Sequence, residues 1–157
     1  MMGPIPMKSL AVRLVQPHEQ PEALRLLAGL NPEVSAEELE GRLSEIVGQH
    51  PHYELYGAFD GDDLVAVCGA WVATKLWCGR YLEIDNIVTH PERRSAGAGT
   101  QLMQAMETLA RERDCEILVL DSYASNTASH RLYHRLGYEI KGFHFVKELR
   151  AVLNSTI

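Results

Sequence analysis

The stretch that decides the fold is YLEIDNIVTHPERRSAGAGTQLMQAMETLARER, residues 81–113. Its first part is rich in Leu, Ile and Val and predicts a β-strand over Tyr81–Thr89, which breaks at His90-Pro91. A basic and glycine-rich turn follows. Apolar residues at helical spacing then predict an amphipathic helix. They are Leu102, Met103, Met106, Leu109 and Ala110. The order is therefore strand, small-residue loop, helix.

The loop between this strand and helix has the composition of an anion-binding turn. Its residues are Arg94, Ser95, Ala96, Gly97, Ala98, Gly99 and Thr100. Small side chains allow successive backbone N–H groups to face an anion, and the N-terminus of the helix adds unpaired amides and a positive dipole end. Arg94 contributes a positive charge. The sequence predicts that a pyrophosphate group binds here.

The spacing of the loop separates it from two common phosphate-binding motifs. It lacks the third glycine of the dinucleotide fingerprint, and no Lys-Ser/Thr pair follows its last glycine as in a P-loop. Arg94, Gly97 and Gly99 instead give R-x-x-G-x-G. A second segment, NTASHRLYHRLGYEIKG, spans residues 126–142. Together, in this order, the two segments resemble the signatures of the GNAT superfamily of N-acetyltransferases.

The resemblance covers residues 64–149 and implies a fold. It is an α/β (α+β) GNAT-like fold with a mixed, mostly antiparallel sheet of six or seven strands, about four flanking helices and a splayed central pair of parallel strands. We expect a single domain over residues 7–150, with residues 1–6 and 151–157 as terminal segments. The first third of the chain matches the family only in its general pattern.

Local signals predict the elements before the central stretch. Residues 10–17 alternate and predict a first strand that ends at Pro17. Two helices are expected next, one beginning near Pro21 and one behind a capping box formed by Ser35 and Glu38. The loop between the helices, residues 29–35, walls the acceptor pocket in the resembled family.

A hairpin is predicted in the middle of the chain. Strands over residues 53–59 and 64–76 flank Asp60-Gly61, a dipeptide that favours a tight turn. Trp71 and Trp77 are interpreted as ordinary strand and core aromatics, with ligand contact as the alternative.

The last third predicts one more parallel strand and an apolar edge. Residues 115–122 are nearly all apolar, which is typical of an interior strand parallel to the Tyr81–Thr89 strand. Two short strands are expected about Lys141-Gly142. An apolar edge such as residues 143–149 is an aggregation hazard unless it is covered, and members of the resembled family commonly pair through such edges, so we expect a homodimer.

Composition limits the partners and the compartment. The chain of 157 residues has a net charge of −6, which argues against nucleic acid and anionic membranes and favours basic acceptors. Three cysteines without a C-x-x-C spacing suit reduced thiols in the cytoplasm. No stretch approaches the length of an apolar membrane span. We expect a cytoplasmic protein without a membrane partner.

The resemblance implies a reaction and a co-substrate. The chain is expected to transfer an acetyl group from acetyl-CoA to a primary amine of a small molecule, peptide or protein, by direct attack through a tetrahedral intermediate. The backbone of Ile87, Val88 and Thr89 pairs with the pantetheine of CoA, and the N–H of Ile87 stabilises the oxyanion. The alternative is a catalytically degenerate module that binds acyl-CoA as a sensor or regulator.

Two carboxylates are candidates for the base. Glu83 lies at about the spacing from R-x-x-G-x-G at which the histone-acetylating branch of the family carries its glutamate. Asp85 comes two residues later, so a regular strand directs both side chains to the same face, whereas a bulge would turn them apart. Glu83 is the candidate base, directly or through water, and Asp85 a group that binds the cationic acceptor. Asp85 or a water chain remains open as the base.

The second signature supplies the candidate acid. By resemblance, Tyr133 lies near the CoA sulfur and protonates the leaving thiolate, and a packed helix residue is the alternative. Asn126 is expected to cap its helix and to bind CoA. His130 and His134 have a spacing that can hold a metal, but no carboxylate or thiol lies between them. No metal is expected.

Overall fold

The structure is a computed structural model that describes residues 8–94 and 97–150. The chain divides into two compact units, one ending at Leu120 and the other beginning at Asp121. Ser95 and Ala96, two residues of the predicted anion-binding loop, lie outside the described residues.

The first unit contains a mixed sheet of five strands in sequential order. The strands are β1 Ala11–Leu14, β2 Tyr53–Asp60, β3 Asp63–Lys75, β4 Gly79–Thr89 and β5 Ile117–Leu120. Neighbours from β1 to β4 are antiparallel, and β4 and β5 are parallel. The predicted class of fold is confirmed, as is the parallel pairing that closes the strand–helix–strand segment. The described sheet has five strands, fewer than the predicted six or seven.

Four α-helices occur in the described residues. They are α1 Gln20–Ala28, α2 Ala36–Gln49, α3 Ala98–Glu112 and α4 Thr127–Arg135. The capping box of α2 is present, since the Ser35 hydroxyl accepts from the Glu38 amide at 3.2 Å and the Glu38 carboxylate accepts from the Ser35 amide at 3.4 Å. At the β2–β3 hairpin, Gly61 has a φ of 63°, which is a conformation that glycine adopts without strain.

The sheet of the first unit is covered on both faces. Helices α1 and α2 contribute Ala23, Leu26, Leu27 and Leu43 to an apolar cluster that also contains Leu55, Val67 and Val88 from the strands. Helix α3 contacts β2, β3 and β4, but its buried residues are not part of that cluster. Helix α3 therefore covers the opposite face.

Three predictions about the sheet and its core are wrong for the described residues. Strand β5 is the last strand of the sheet and is half-buried along its length, so it is not an interior strand. Residues 139–149 form no strand, because alternation alone supplies no partner for their backbone groups. Trp77 is not a core aromatic, since 70% of its surface is exposed at the β3–β4 turn.

Candidate functional site

Strand β4 contains a bulge just after the two candidate carboxylates. Gly69 of β3 pairs with Asp85 and Val67 pairs with Val88, so Asn86 and Ile87 lie opposite a single residue, Cys68. Asn86 has a φ of 51°, a left-handed conformation that Asn tolerates better than most residues. A bulge interrupts the hydrogen-bond ladder and leaves the extra residue unpaired. The irregularity therefore falls at Ile87, the residue whose N–H was predicted to face an oxyanion.

The same strand separates from its parallel neighbour at this point. Strand β4 pairs with β5 only over residues 81–84, whereas it pairs with β3 as far as Thr89. Strand β5 ends at Leu120, the partner of Ile84. Within the described sheet, the β5-facing side of Ile87–Thr89 therefore has no strand pairing, which is the arrangement that an extended ligand needs in order to pair with a strand.

The N-terminus of α3 follows the end of β4. Gly97 is the N-cap with a φ of 79°, and Ala98, Gly99 and Thr100 form the first turn, which carries no acidic residue. A Cβ atom at Gly99 would lie 3.4 Å from Oγ1 of Thr89, so the helix start and the strand end are close. Backbone amides and the positive end of the helix dipole meet here without a competing carboxylate.

The turn between β4 and the loop is held by neighbouring strands. The His90 amide donates to Val65 O at 2.8 Å, and its Nδ1 accepts from the Glu92 amide at 3.2 Å. Arg93 donates to Asp60 at 3.0 Å, which ties the turn to the β2–β3 hairpin. Arg94 is exposed. Of the two adjacent arginines, Arg93 is structural, and Arg94 is the one on the surface.

A polar cavity of about 170 Å³ lies beside this turn. It is lined by Glu22, Asp63, Leu64, Val65, His90, Glu92 and Arg93. Arg93 forms ion pairs with Asp60 and, at 3.8 Å, with Asp63, so its positive charge is compensated within the protein. The candidate carboxylates of β4 are not part of its lining.

Glu83 and Asp85 project from the same face of β4. They pair in regular register with Trp71 and Gly69 of β3, and the bulge begins only after Asp85. Both carboxylates are half-buried. Leu82, which precedes Glu83, and Ile84, which lies between the two carboxylates, are buried at 0% and 4% exposure. The cluster formed by α1 and α2 contains Val67, which shares the strand face of Gly69 and Trp71. The carboxylates therefore lie on the α1/α2 side of the sheet.

Asp85 has a partner that the sequence did not indicate. Trp71 Nε1 donates a hydrogen bond to Asp85 Oδ2 at 3.1 Å. Trp71 is half-buried, and Tyr53 of β2 packs edge-on against it with ring centroids 4.8 Å apart. Sequence reasoning treated Trp71 as an ordinary aromatic, because the contact depends on the register between β3 and β4.

The second unit holds the other two predicted site residues. The Asn126 side chain caps α4 by accepting from the Ser129 amide at 3.4 Å. Tyr133 is half-buried on α4, and its ring lies 6.1 Å from that of Tyr138. Burial raises the pKa of the Tyr133 phenol, and a hydrogen bond with Ser129 opposes this effect. The phenol is protonated at neutral pH with or without this shift, and the shift makes it a weaker acid.

The two histidines of α4 contact backbone carbonyl groups. His130 Nε2 lies 2.9 Å from Tyr123 O, and His134 Nδ1 lies 3.2 Å from Tyr138 O. Within residues 8–94 and 97–150, no three or more His, Cys, Asp or Glu side chains are grouped so that they could hold a metal ion. None of the described helices is long and apolar enough to cross a membrane.

Comparison with solved structures identifies the class of fold. The structure is similar to an aminoglycoside N-acetyltransferase in complex with CoA, with a TM-score of 0.78 and 19% identity over 93% of this chain and 99% of that chain. The fold is therefore that of an acetyltransferase.

Sequence comparison then gives the family. The profile of the acetyltransferase (GNAT) family matches residues 21–138, and the chain belongs to this family. It is 27% identical to the uncharacterized N-acetyltransferase YhdJ of Bacillus subtilis over 136 residues, which are 86% of this chain and 95% of that protein. It is 28% identical to the aminoalkylphosphonate N-acetyltransferase of Salmonella typhimurium over 114 residues, 70% and 71% of the two chains. The protein is thus an N-acetyltransferase.

Proposed function

We propose that the protein transfers the acetyl group of acetyl-CoA to a primary amine of a small molecule, peptide or protein, and that residues 7–150 act as one domain. The observation that carries this proposal is the separation of β4 from β5 after Ile84, directly before a helix N-terminus without acidic residues. The first feature offers an unpaired strand edge to pantetheine, and the second offers amides to a pyrophosphate. In CoA, pantetheine and pyrophosphate are joined one after the other, in the same order as these two features.

In this mechanism the CoA phosphates bind the amides of residues 95–100, with Arg94 adding charge. Pantetheine pairs with Ile87, Val88 and Thr89, and the N–H of Ile87 donates to the thioester oxygen. Such a donor typically stabilises an oxyanion by about 3 kcal/mol. Asn126 is proposed as a further hydrogen-bonding partner of CoA on its sequence motif alone.

The reaction then needs one base and one acid. The amine nitrogen attacks the thioester carbon, a tetrahedral oxyanion forms, and its collapse breaks the C–S bond to give an amide and CoA thiolate. Glu83 takes the proton that the ammonium must lose, directly or through water, and Asp85 binds the cationic acceptor. Tyr133 is proposed to protonate the thiolate, on its sequence motif.

The assembly is proposed to be a cytoplasmic homodimer. Residues 143–149 carry large apolar side chains with little cover, since Phe143 is 87%, Phe145 92% and Leu149 89% exposed. Exposed apolar segments of this kind are typical of interaction sites. Light scattering at micromolar concentration should give twice the mass of the 17.6 kDa chain. A monomeric mass would contradict this part of the proposal.

The test of the function is an acceptor screen with acetyl-CoA, read by release of free thiol. Thiol release that depends on an added amine supports the transferase, and CoA binding without turnover on any amine identifies the acyl-CoA-binding module instead. Gly97→Glu serves as the inactive variant, because a carboxylate would occupy the phosphate position. Gly97→Ala is its matched control, since it introduces the same left-handed strain without the charge. Equal CoA affinity of wild type and Gly97→Glu by calorimetry would refute the CoA site.

A further inference from the structure

A pair of aromatic rings, Trp71 and Tyr53, lies beside Asp85 on the α1/α2 side of the sheet. Trp71 holds one carboxylate oxygen by its indole N–H at 3.1 Å. Tyr53 is the cross-strand partner of Trp71 on β2, the neighbour of β3 that lies away from β4. The two rings meet at an interplanar angle of 61°. His50, the C-cap residue of α2, contacts Trp71 from a third direction with ring centroids 5.6 Å apart. The indole is therefore fixed by contacts on several sides.

Gly69 allows the Tyr53 ring to reach Asp85. A Cβ atom at Gly69 would lie 2.6 Å from both Cε2 and Oη of Tyr53, so the ring occupies the space above this glycine. Gly69 is the direct cross-strand partner of Asp85. Burial and the nearby Asp85 carboxylate raise the pKa of the Tyr53 phenol. The phenol ring therefore stays neutral beside a carboxylate.

Among residues 8–94 and 97–150, no basic side chain forms an ion pair with Asp85. The hydrogen bond from Trp71 is the only one that its carboxylate makes within the described residues, and the indole N–H is a neutral donor. Strands β2, β3 and β4 contain only two basic residues, Lys75 and Arg80, and both lie at the β3–β4 turn. Lys75 is held over the Tyr81 ring at 4.6 Å, and Arg80 donates to Arg113 O at 3.0 Å.

An oriented carboxylate beside two half-buried aromatic rings is a surface that binds organic cations. Phosphate or phosphonate groups are recognised by Arg, Lys or backbone amides, and neither basic residue of these strands is directed to this position. Glu83 lies two residues from Asp85 on the same face, a distance of about 7 Å along a strand. Two amines of one small molecule can span that distance.

We propose that Trp71 is a positioning residue which, with Tyr53, makes Asp85 the specificity determinant of the acceptor site. The preferred acceptor carries a second ammonium group beside the amine that is acetylated, and an amine that carries phosphonate in that position is a poor substrate. This inference rests on the proposed function, with Glu83 serving the reacting amine and Asp85 binding the second cation.

The substrate test uses three amines of equal chain length: 1,3-diaminopropane, n-propylamine and 3-aminopropylphosphonate. We expect kcat/KM to fall in that order, with about tenfold between the first two, which corresponds to one ion pair of about 1.4 kcal/mol. A phosphonate acetylated as well as the diamine would overturn the inference, and so would equal values for diamine and propylamine. Calorimetric titration of the CoA complex with the same amines gives the same ranking without turnover.

The residue test separates positioning from packing. Trp71→Phe keeps an aromatic ring but removes the N–H, so it should raise KM for the diamine about tenfold and abolish the preference over propylamine, with KM for acetyl-CoA unchanged. Trp77→Phe, at the exposed turn, is the matched control. Asp85→Asn should remove the same preference, and the double variant should be no worse than either single one. A preserved preference in Trp71→Phe or Asp85→Asn would overturn the inference.

The outcomes also distinguish the inference from the proposed function. If no amine releases thiol and CoA does not bind, the proposed function fails and the inference falls with it. If all three amines are acetylated with similar kcat/KM, the transferase stands and only the inference fails.

Discussion

The two faces of β4 differ although they alternate residue by residue along one strand. On the α3 side, Leu82 and Ile84 are buried at 0% and 4% exposure. On the α1/α2 side, Glu83 and Asp85 are half-buried carboxylates next to Trp71. One face contributes apolar burial to the stability of the fold, and the other presents charge in a partly desolvated position. Stability and chemistry can therefore be changed separately by substitutions one residue apart.

The largest effect is expected on the apolar face. Leu82→Ala removes a fully buried side chain and should lower the free energy of unfolding by about 2–5 kcal/mol, since the cavity adds to the lost transfer energy. Chemical denaturation measures this loss, and activity per folded molecule should persist. Glu83→Gln is the neighbouring control and should lose less stability. Equal destabilisation by both variants would remove the distinction between the faces.

The next effect concerns Tyr133 of the second unit, the proposed acid. Tyr133→Phe should lower kcat by about 10²-fold at most, with little change in KM for acetyl-CoA. Raising the pH should not restore the rate, because alkali does not replace a missing acid. Tyr123→Phe is the control, since Tyr123 is 85% exposed in the same unit. A pH–rate profile of Tyr133→Phe that matches wild type would return this tyrosine to a packing role.

A smaller loss of rate is expected from substitution of Glu83 on the charged face, and unlike the loss in Tyr133→Phe it should be reversed by raising the pH. Glu83→Gln should lower the rate about tenfold near neutral pH, because the acceptor is then an ammonium and water is a poorer base. The deficit should shrink as rising pH deprotonates the amine in solution. Glu37→Gln, in the first turn of α2, is a control on an exposed glutamate. Wild-type activity of Glu83→Gln at every pH would leave Asp85 or water as the base.

The smallest effect tests α2, which lies on the same side of the sheet as the charged face and packs on α1 and β2. Ser35→Ala removes the hydroxyl that accepts from the Glu38 amide and should cost about 1 kcal/mol of unfolding free energy. The KM values of both substrates should stay unchanged, because the cap acts on α2 locally. Ser44→Ala, at an exposed position within the same helix, is the comparison. A change in acceptor KM would mean that α2 positions acceptor contacts.

The elements that the sequence predicted well depend on neighbouring residues. The capping box joins Ser35 and Glu38, and the Asp60-Gly61 dipeptide lies between two strands that form a hairpin. The order of β4, glycine loop and α3 was also visible, because periodicity changes within a few residues. Signals of this kind need no knowledge of the rest of the fold.

The features that the sequence did not predict depend on register between distant segments. Trp71 and Asp85 meet only because β3 and β4 pair in one particular alignment, and no local motif encodes their hydrogen bond. The strands expected within residues 139–149 are absent for a related reason, since a strand requires a neighbouring strand with which its backbone groups pair. The cap formed by Asn126 is confirmed. The acid role of Tyr133 and the CoA contact of Asn126 came from family signatures, and they stay predictions.

The bulge at Asn86 divides β4 into two segments. In the first segment the odd-numbered residues face one side of the sheet, and in the second the even-numbered residues face that same side. Before it, odd-numbered residues face α1 and α2, whereas after it Val88 pairs with Val67 and joins their apolar cluster. Because the bulge accommodates one additional residue, Val88 lies in the core and Thr89 is directed toward the first turn of α3. Deleting Asn86 would return β4 to regular alternation and keep Val88 opposite Val67, on the face of Asp85. The apolar packing would then survive, whereas the interruption of the hydrogen-bond ladder at Ile87 would be lost. The additional residue is therefore a requirement of the backbone at Ile87 and not of the core.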